Sequence, residues 1–101
     1  MIISKEKNSA GNYEYHLVRM GSWEFFSDFS EFFKQQYSAI PLVKDDGIYT
    51  RLWKFSCGEE EFYFEHHEDI GNWFYSSSGD GQSNLLDNIA NDISSRINGT
   101  D

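Results

Sequence analysis

The sequence predicts an α+β fold, in which an antiparallel β-sheet of about five strands is covered by two helices. Two segments, residues 23–37 and 82–97, place apolar residues at the spacing of a helix face. The other segments are rich in Tyr, Phe, Trp and Val, alternate in part between apolar and polar residues, and are joined by short turns. With 101 residues and no linker or repeat, the chain is expected to form a single domain, 1–101.

The N-terminal part predicts a β-hairpin followed by a helix. Residues 2–7 and 13–20 are the two strands of the hairpin, with turn residues between them. The helix is indicated by aromatic residues at helical spacing, which are expected in the core: Phe25, Phe26, Phe29, Phe32, Phe33 and Tyr37. Either Ser22 caps a long helix or Asp28 caps a shorter one. Pro41 ends this element, because the residue before a proline is pushed out of the helical region.

The C-terminal part predicts a three-stranded antiparallel meander and a second helix. A turn at 44–47 precedes strands at 48–57, 60–67 and 72–76, which are joined by loops of hairpin length. The apolar stripe of the last helix, 82–97, consists of Leu85, Leu86, Ile89, Ile93 and Ile97. The order of elements is therefore β-β-α-β-β-β-α, and both helices are expected to bury their apolar faces against the sheet.

The charge balance excludes several classes of protein. The chain has 8 Lys and Arg residues against 17 Asp and Glu residues, a formal net charge of −9. Nucleic-acid binding of the ordinary kind and docking on anionic lipid both need a basic surface, so we expect neither.

No apolar run approaches the roughly 20 residues of a membrane span. The first residues lack the apolar stretch of a secretory signal and Cys57 has no second cysteine to pair with, so we expect a cytoplasmic location.

Residues with catalytic potential occur, but their pattern does not match a known site. His66, His67 and Glu68, followed by Asp69, suggest a metal site or a proton relay. Neighbouring residues of a strand, however, point to opposite faces of the sheet. The lone Cys57 has no identifiable base, and the loop 79–81 lacks the lysine of a phosphate-binding loop. We therefore expect no catalytic residue, no metal site and no cofactor.

The distribution of charge is the most informative feature of the sequence. Between Phe55 and Ser95 the chain has no Lys or Arg, and its acidic residues there are Glu59, Glu60, Glu61, Glu65, Glu68, Asp69, Asp80, Asp87 and Asp92. A field of one sign speeds the encounter with a basic partner, although an acidic surface also serves solubility alone. Within residues 59–75 the acids are mixed with aromatic residues, and aromatic centres with charged rims are typical of tight protein interfaces.

The chain as a whole is small and acidic, and a helix closes it. Together with the acidic and aromatic run 59–65 (EEEFYFE) and the strand 72–75 (NWFY), this character resembles a known class of protein. This class is the immunity proteins of bacterial contact-dependent growth inhibition and polymorphic toxin systems. The resemblance extends over the whole chain in general character and rests on no shared motif. It implies a cytoplasmic protein that acts without catalysis, binding a cognate basic toxin domain in a 1:1 complex. The toxin is usually a nuclease (an RNase or tRNase), whose active-site cleft the immunity protein blocks.

The candidate toxin-binding residues are chosen for chemistry that suits a basic cleft. They are Glu59, Glu60, Glu61, Tyr63, Glu65, His67, Glu68, Asp69, Trp73, Tyr75 and Asp80. Two alternatives stay open: an acidic nucleic-acid mimic or regulatory adaptor, and a small enzyme that uses His66 and Glu68. The sequence leaves open which strand forms the edge of the sheet and whether the chain pairs with itself.

Overall fold

One six-stranded antiparallel sheet forms the centre of the structure, and both helices pack on the same face of it. The structure is a computed structural model that describes residues 3–77 and 83–98. The elements are β1 (Ile3–Lys7), β2 (Tyr13–Leu17), α1 (Trp23–Tyr37), β3 (Ile40–Asp46), β4 (Thr50–Cys57), β5 (Glu60–His67), β6 (Gly71–Ser76) and α2 (Asn84–Asn98). The strands lie in the order β1-β2-β6-β5-β4-β3, so the hairpin joins the meander through β2 and β6. The predicted α+β class is confirmed, with six strands instead of about five.

The hairpin and the first helix follow the prediction, with adjustments at their ends. β2 ends at Leu17 instead of residue 20, because the chain turns directly afterwards, with Arg19 at a φ of 64°. Ser22 caps α1, and its Oγ accepts a hydrogen bond from the Phe25 N–H at 3.1 Å. The longer of the two helices considered is therefore the correct one. It ends at Tyr37, and the following C-cap residue, Ser38, adopts the left-handed conformation.

The predicted turn at 44–47 is wrong, because residues 40–46 form an additional strand, β3, at the edge of the sheet. This strand pairs antiparallel with β4, and the register shifts between Pro41 and Val43. A proline is tolerated at a sheet edge, where only one side of the strand has a hydrogen-bonding neighbour. Proline and a run of turn residues both argue against a strand locally, and only the pairing with β4 overrides them.

The core lies between the sheet and the helices and is built mainly from aromatic rings. Phe26 of α1 stacks on Phe64 of β5 with the ring centroids 4.3 Å apart, and Phe33 meets the Phe64 ring edge-on at 5.1 Å. The cluster also contains Tyr15, Leu17, Trp53, Phe55, Phe62, Phe74, Leu86, Ile89 and Ile93. Each fully buried phenylalanine contributes about 1.5–3 kcal/mol. Phe25 is 38% exposed, so only part of the aromatic stripe of α1 belongs to the core.

Two hydrogen bonds from tyrosine to carboxylate attach α2 to the rest of the fold. The Tyr15 hydroxyl donates to Asp87 at 2.5 Å, and the Tyr37 hydroxyl donates to Asp92. Burial, followed by the hydrogen bond to the carboxylate, raises the pKa of both phenols well above its usual value, so both remain donors at neutral pH. Within the described residues, neither helix has the length and apolar character needed to cross a lipid bilayer.

The loop before α1 crosses the turn between β5 and β6 at two glycines. A Cβ atom on Gly21 would lie 2.9 Å from the Gly71 Cα, and Gly71 has a φ of 116°, which other residues disfavour. This close approach brings the Asn72 amide to the loop, where its Nδ2 donates to the Met20 carbonyl at 2.8 Å and to the Ser22 carbonyl at 3.0 Å. Asn72 is 1% exposed, so both hydrogen bonds satisfy a buried amide.

Replacing a core phenylalanine of α1 is expected to destabilise the protein far more than replacing an exposed one. Phe33 contacts phenylalanines of β4, β5 and β6, so Phe33→Ala should lower the free energy of unfolding by about 3–5 kcal/mol. Phe25→Ala, on the same helix, should lower it by about 1 kcal/mol or less. Urea unfolding followed by tryptophan fluorescence measures both, and equal losses would contradict this assignment of the core.

Candidate binding surface on the open face of the sheet

The sheet face opposite the helices carries polar and aromatic side chains, and we call it the open face. Cross-strand partners point to the same side of a sheet, so the pairing register defines its members. They include Ser4 and Glu6 of β1, Glu14 and His16 of β2, Trp73 and Tyr75 of β6, Glu61, Tyr63, Glu65 and His67 of β5, Thr50, Leu52, Lys54 and Ser56 of β4, and Ile40, Val43 and Asp45 of β3. Most of them are only half-buried, because both helices lie on the other face.

Aromatic rings occupy the centre of the open face. The rings of Tyr63 and Tyr75 stack across β5 and β6 with centroids 5.4 Å apart, and His16 and Trp73 stack across β2 and β6 at the same distance. The planes of the two pairs are inclined by 30° and 15°, respectively. Stacked rings hold one another in place, so they form a rigid and partly apolar platform that is not covered by either helix.

The Tyr75 phenol orients one of the carboxylates of this platform. Burial is the largest cause that raises the pKa of Tyr75 above its ordinary value of 10.0, followed by a hydrogen bond to Glu65 and the negative charge of Glu65. The charge of Glu14 acts in the same direction. Tyr75 therefore stays protonated at neutral pH and donates to the Glu65 carboxylate, which is held beside the aromatic centre.

The carboxylates nearer the two sides of the open face are also positioned by neighbours. Glu14 lies 3.0 Å from the His16 Nε2 and accepts a hydrogen bond from the Asn8 side chain at 3.2 Å. On the opposite side, the Lys54 ammonium lies 2.8 Å from Glu61. Glu14, Glu61 and Glu65 therefore have defined positions, as an electrostatic recognition surface requires.

Basic residues are almost completely segregated from the open face. All 8 Lys and Arg residues lie in the part of the chain that the structure describes, and Lys54 is the one that the strand register places on the open face, where it pairs with Glu61. Arg19 lies at the border of this face, in a concavity that also contains Glu6 and His16. The other seven are on the helix side of the sheet, on the helices or in a turn, and they are Lys5, Lys7, Arg19, Lys34, Lys44, Arg51 and Arg96. Among the described residues, Glu6, Glu14, Asp45 and Glu65 of the open face have no Lys or Arg within ion-pair distance, which gives this face a negative field.

The structure brings six of the predicted binding residues together on the open face: Glu61, Tyr63, Glu65, His67, Trp73 and Tyr75. Glu59 is exposed in the turn between β4 and β5, and Glu68 and Asp69 are exposed in the turn between β5 and β6. Glu60 is on the helix side, where its carboxylate accepts a hydrogen bond from the Ser83 hydroxyl at 2.5 Å, so it does not share the surface of the others. The predicted residue Asp80 lies outside the described residues.

Sequence reasoning missed the contributions of β1, β2 and β3 to this surface. Glu6, Glu14, His16 and Asp45 lie on the open face because β2 pairs with β6 and β3 pairs with β4. The alternation in residues 13–17 placed Glu14 and His16 on one side of a strand, but alternation alone carries no information on strand order. The neighbour of β6 depends on a contact between distant segments of the chain.

The residues considered for catalysis are separated in the fold. His66 is buried on the helix side and His67 is half-buried on the open face, as the alternation of a strand predicts. The Cys57 Sγ donates to the Tyr37 carbonyl at 3.4 Å, and burial raises the pKa of its thiol, which disfavours the reactive thiolate. In the part of the chain that the structure describes, no three His, Cys, Asp or Glu residues are grouped as a metal ion would require.

Comparison with known proteins gives no relative on which a function can be based. No protein-family model matches the chain, and no curated protein or solved structure matches it either. The geometry and charge of the open face are therefore the properties that bear on function.

The link between Tyr75 and Glu65 can be measured by alkaline titration. The folded state holds the Tyr75 proton more tightly than the unfolded state, so the stability this confers is complete below pH 10.0 and is lost as the pH rises above it. Glu65→Gln removes the carboxylate charge and should lower the pKa of Tyr75. Tyrosinate absorbance is recorded against pH, and subtracting the titration of the same protein with Tyr75→Phe isolates this phenol.

Glu59→Gln is the matched control for this titration, because Glu59 is exposed in the turn between β4 and β5 and is not among the groups that shift Tyr75. It should leave the isolated Tyr75 titration unchanged. The assignment would be wrong if Glu65→Gln also left it unchanged, since the carboxylate would then have no electrostatic contact with the phenol.

Proposed function

We propose that this chain is an immunity-type protein that binds a basic bacterial toxin domain, in particular a nuclease, and neutralises it through the open face. The observation that most supports this proposal is the segregation of charge. One face of the sheet has an aromatic centre and several positioned carboxylates, whereas six of the eight basic residues are elsewhere, Arg19 lies at the border of this face and Lys54 is paired on it with Glu61. A surface built for solubility alone needs no such separation, because interspersed charges of both signs serve that purpose.

The open face has the dimensions of a protein interface. Six strands spaced about 4.8 Å apart span roughly 25–29 Å, and strands of five to eight residues are about 17–26 Å long. The resulting area, on the order of 500–700 Å², approaches the roughly 800 Å² that each partner buries in a standard interface. The acidic turns at Glu59 and at Glu68 and Asp69 extend this surface at both ends of β5.

The mechanism needs no chemical step. Carboxylates held beside flat aromatic rings take the positions that the phosphates and bases of a nucleic acid would occupy in a basic cleft. Long-range attraction speeds the encounter, and close, well-oriented charge pairs slow dissociation. The sheet then excludes the substrate from the cleft by its bulk. A cytoplasmic location would place the protein where a toxin that attacks nucleic acid acts.

Capture of the partner from the native host tests this proposal. The tagged chain should retain a single basic protein, identified by mass spectrometry, that is toxic when expressed alone and harmless when the chain is expressed with it. Glu61→Gln with Glu65→Gln should weaken that complex by about tenfold or more, because it removes two carboxylates from the centre of the open face. Binding should also weaken as the salt concentration rises, because salt screens the attraction.

The matched control is Glu24→Gln with Asp28→Asn, which changes the net charge by the same amount on the exposed side of α1. This variant should bind the partner as the unmodified chain does. The proposed surface is wrong if the helix variant loses the partner and the sheet variant keeps it. A captured partner that is not toxic would support the adaptor alternative instead.

A further inference from the structure

A concave site is present at the end of the sheet, on the helix side and outside the open face. It is a pocket of about 300 Å³ formed where the loop before α1, the loop between β3 and β4, and the turn after β5 meet. The side chains of its wall that concern recognition are Trp23, Tyr49, His66 and Glu68, and we call it the His66 pocket. Its volume is at the lower end of the range for ligand sites and suits one side chain of a partner.

The hydrogen bonds around His66 determine which of its ring nitrogens carries the proton. Both protons of the Asn72 Nδ2 are donated to backbone carbonyls, those of Met20 and Ser22. The Asn72 Oδ1 is therefore the acceptor in the contact of 2.7 Å with the His66 Nδ1. Neutral His66 must then carry its proton on Nδ1, which leaves a lone pair on Nε2.

This lone pair is available to a ligand. His66 is 5% exposed, and its Nε2 has no hydrogen-bond partner among the described residues. Every fully enclosed side-chain nitrogen and oxygen of those residues has a hydrogen-bond partner, so the unpaired Nε2 is not fully enclosed, and His66 is one of the residues that line the pocket. A nearly buried acceptor of this kind loses free energy unless a donor reaches it.

The imidazole is held in a fixed orientation. Its Nδ1 is bound to Asn72, whose position depends on the crossing of Gly21 and Gly71 described above. The rings of Trp23 and Phe26 pack edge-on against it, with centroids 5.5 Å and 6.3 Å away. The acceptor therefore needs little reorganisation when a donor enters, which favours binding.

The other walls of the pocket define the chemistry of that donor. Glu68 adds a carboxylate, and Trp23 and Tyr49 add aromatic surface. An acceptor, a negative charge and aromatic rings together suit a flat cation with several N–H donors. Arg51, which pairs with His66 across the strands, already has its guanidinium 4.5 Å from the centre of the Trp23 ring, and its charge is balanced by Asp46 at 3.0 Å.

We propose that the His66 pocket binds the guanidinium group of an arginine side chain from a protein partner. One N–H donates to the His66 Nε2, the Glu68 carboxylate balances the charge, and Tyr49 and Trp23 cover the flat faces. This inference depends on the proposed function only for the origin of the arginine, which would come from the basic toxin domain. The pocket and its ligand class can be tested without any partner.

The probe is N-acetyl-arginine methylamide, added up to about 50 mM, well above the millimolar dissociation constants typical of weak ligands. Nitrogen NMR of the histidine rings at mildly alkaline pH should show His66 protonated on Nδ1, with its Nε2 resonance moving on addition of the probe. N-acetyl-citrulline methylamide, which has the same shape without the charge, should bind at least about tenfold more weakly. The lysine analogue should also bind more weakly, because a single ammonium cannot reach both acceptors while stacking on the rings.

Two neighbouring substitutions in one exposed turn provide the matched variants. Glu68→Gln removes the charge of the pocket wall and should weaken binding of the probe about three- to fivefold. Asp69→Asn removes the same charge one residue later, outside the pocket wall, and should have little effect. The amide spectrum of each variant verifies that the fold is kept.

Several results would overturn the inference: a proton on Nε2 of neutral His66, no movement of the Nε2 resonance at the highest probe concentration, or equal binding of the citrulline compound. Failure of this site and failure of the proposed function are distinguishable. A partner captured through the open face without probe binding would leave only the pocket inference wrong. Probe binding without any captured toxic partner would leave only the proposed function wrong.

Discussion

The packing of α1 on the central strands decides the character of both faces of the sheet. Phe26 and Phe33 meet Phe64 directly, and this contact orients β5 so that its even-numbered aromatic residues face the helices. Since side chains alternate along a strand, Tyr63 and Glu65 must then point the other way. The pairing register carries this choice to the neighbouring strands. The open face is therefore a consequence of where the phenylalanines are buried.

The open face is not the arrangement that stability alone would favour. Glu6 and Glu14 are direct cross-strand partners, and like charges in that position destabilise a sheet. His16 lies between them, with its Nε2 at 3.0 Å from Glu14 and 3.9 Å from Glu6. A surface that meets only water gains nothing from two carboxylates on either side of one imidazole. A surface that meets a basic partner gains electrostatic attraction from them.

The sequence determines the elements better than it determines their neighbours. The strict alternation in residues 60–67 gave the limits of β5, and the stripe from Leu85 to Ile97 indicated α2, because each pattern is local and strongly periodic. β3 was missed because Pro41 and the turn-forming residues 44–47 both argue against a strand, and only its pairing with β4 makes it one. Which strand lies beside β6 depends on a contact across more than fifty residues, and no local pattern encodes it.

The candidate sites, like the order of the strands, depend on contacts that no local sequence pattern encodes. The alternation of a strand was enough to predict that His66 and His67 face opposite sides. The partner that defines the tautomer of His66 is Asn72, six residues later, and its position follows from the register of the turn between them. Nothing in the spacing of the two residues distinguishes this pair from an ordinary polar strand end.

The two candidate sites meet at the turn between β5 and β6. His67 belongs to the open face, whereas His66 and Glu68, on either side of it in sequence, belong to the pocket. A partner that covers the open face as far as His67 would have to pass only over this exposed turn to reach the pocket. The part of the partner that passes over the turn would then place an arginine in the His66 pocket. A single interface can therefore combine the broad negative surface with one specific anchor.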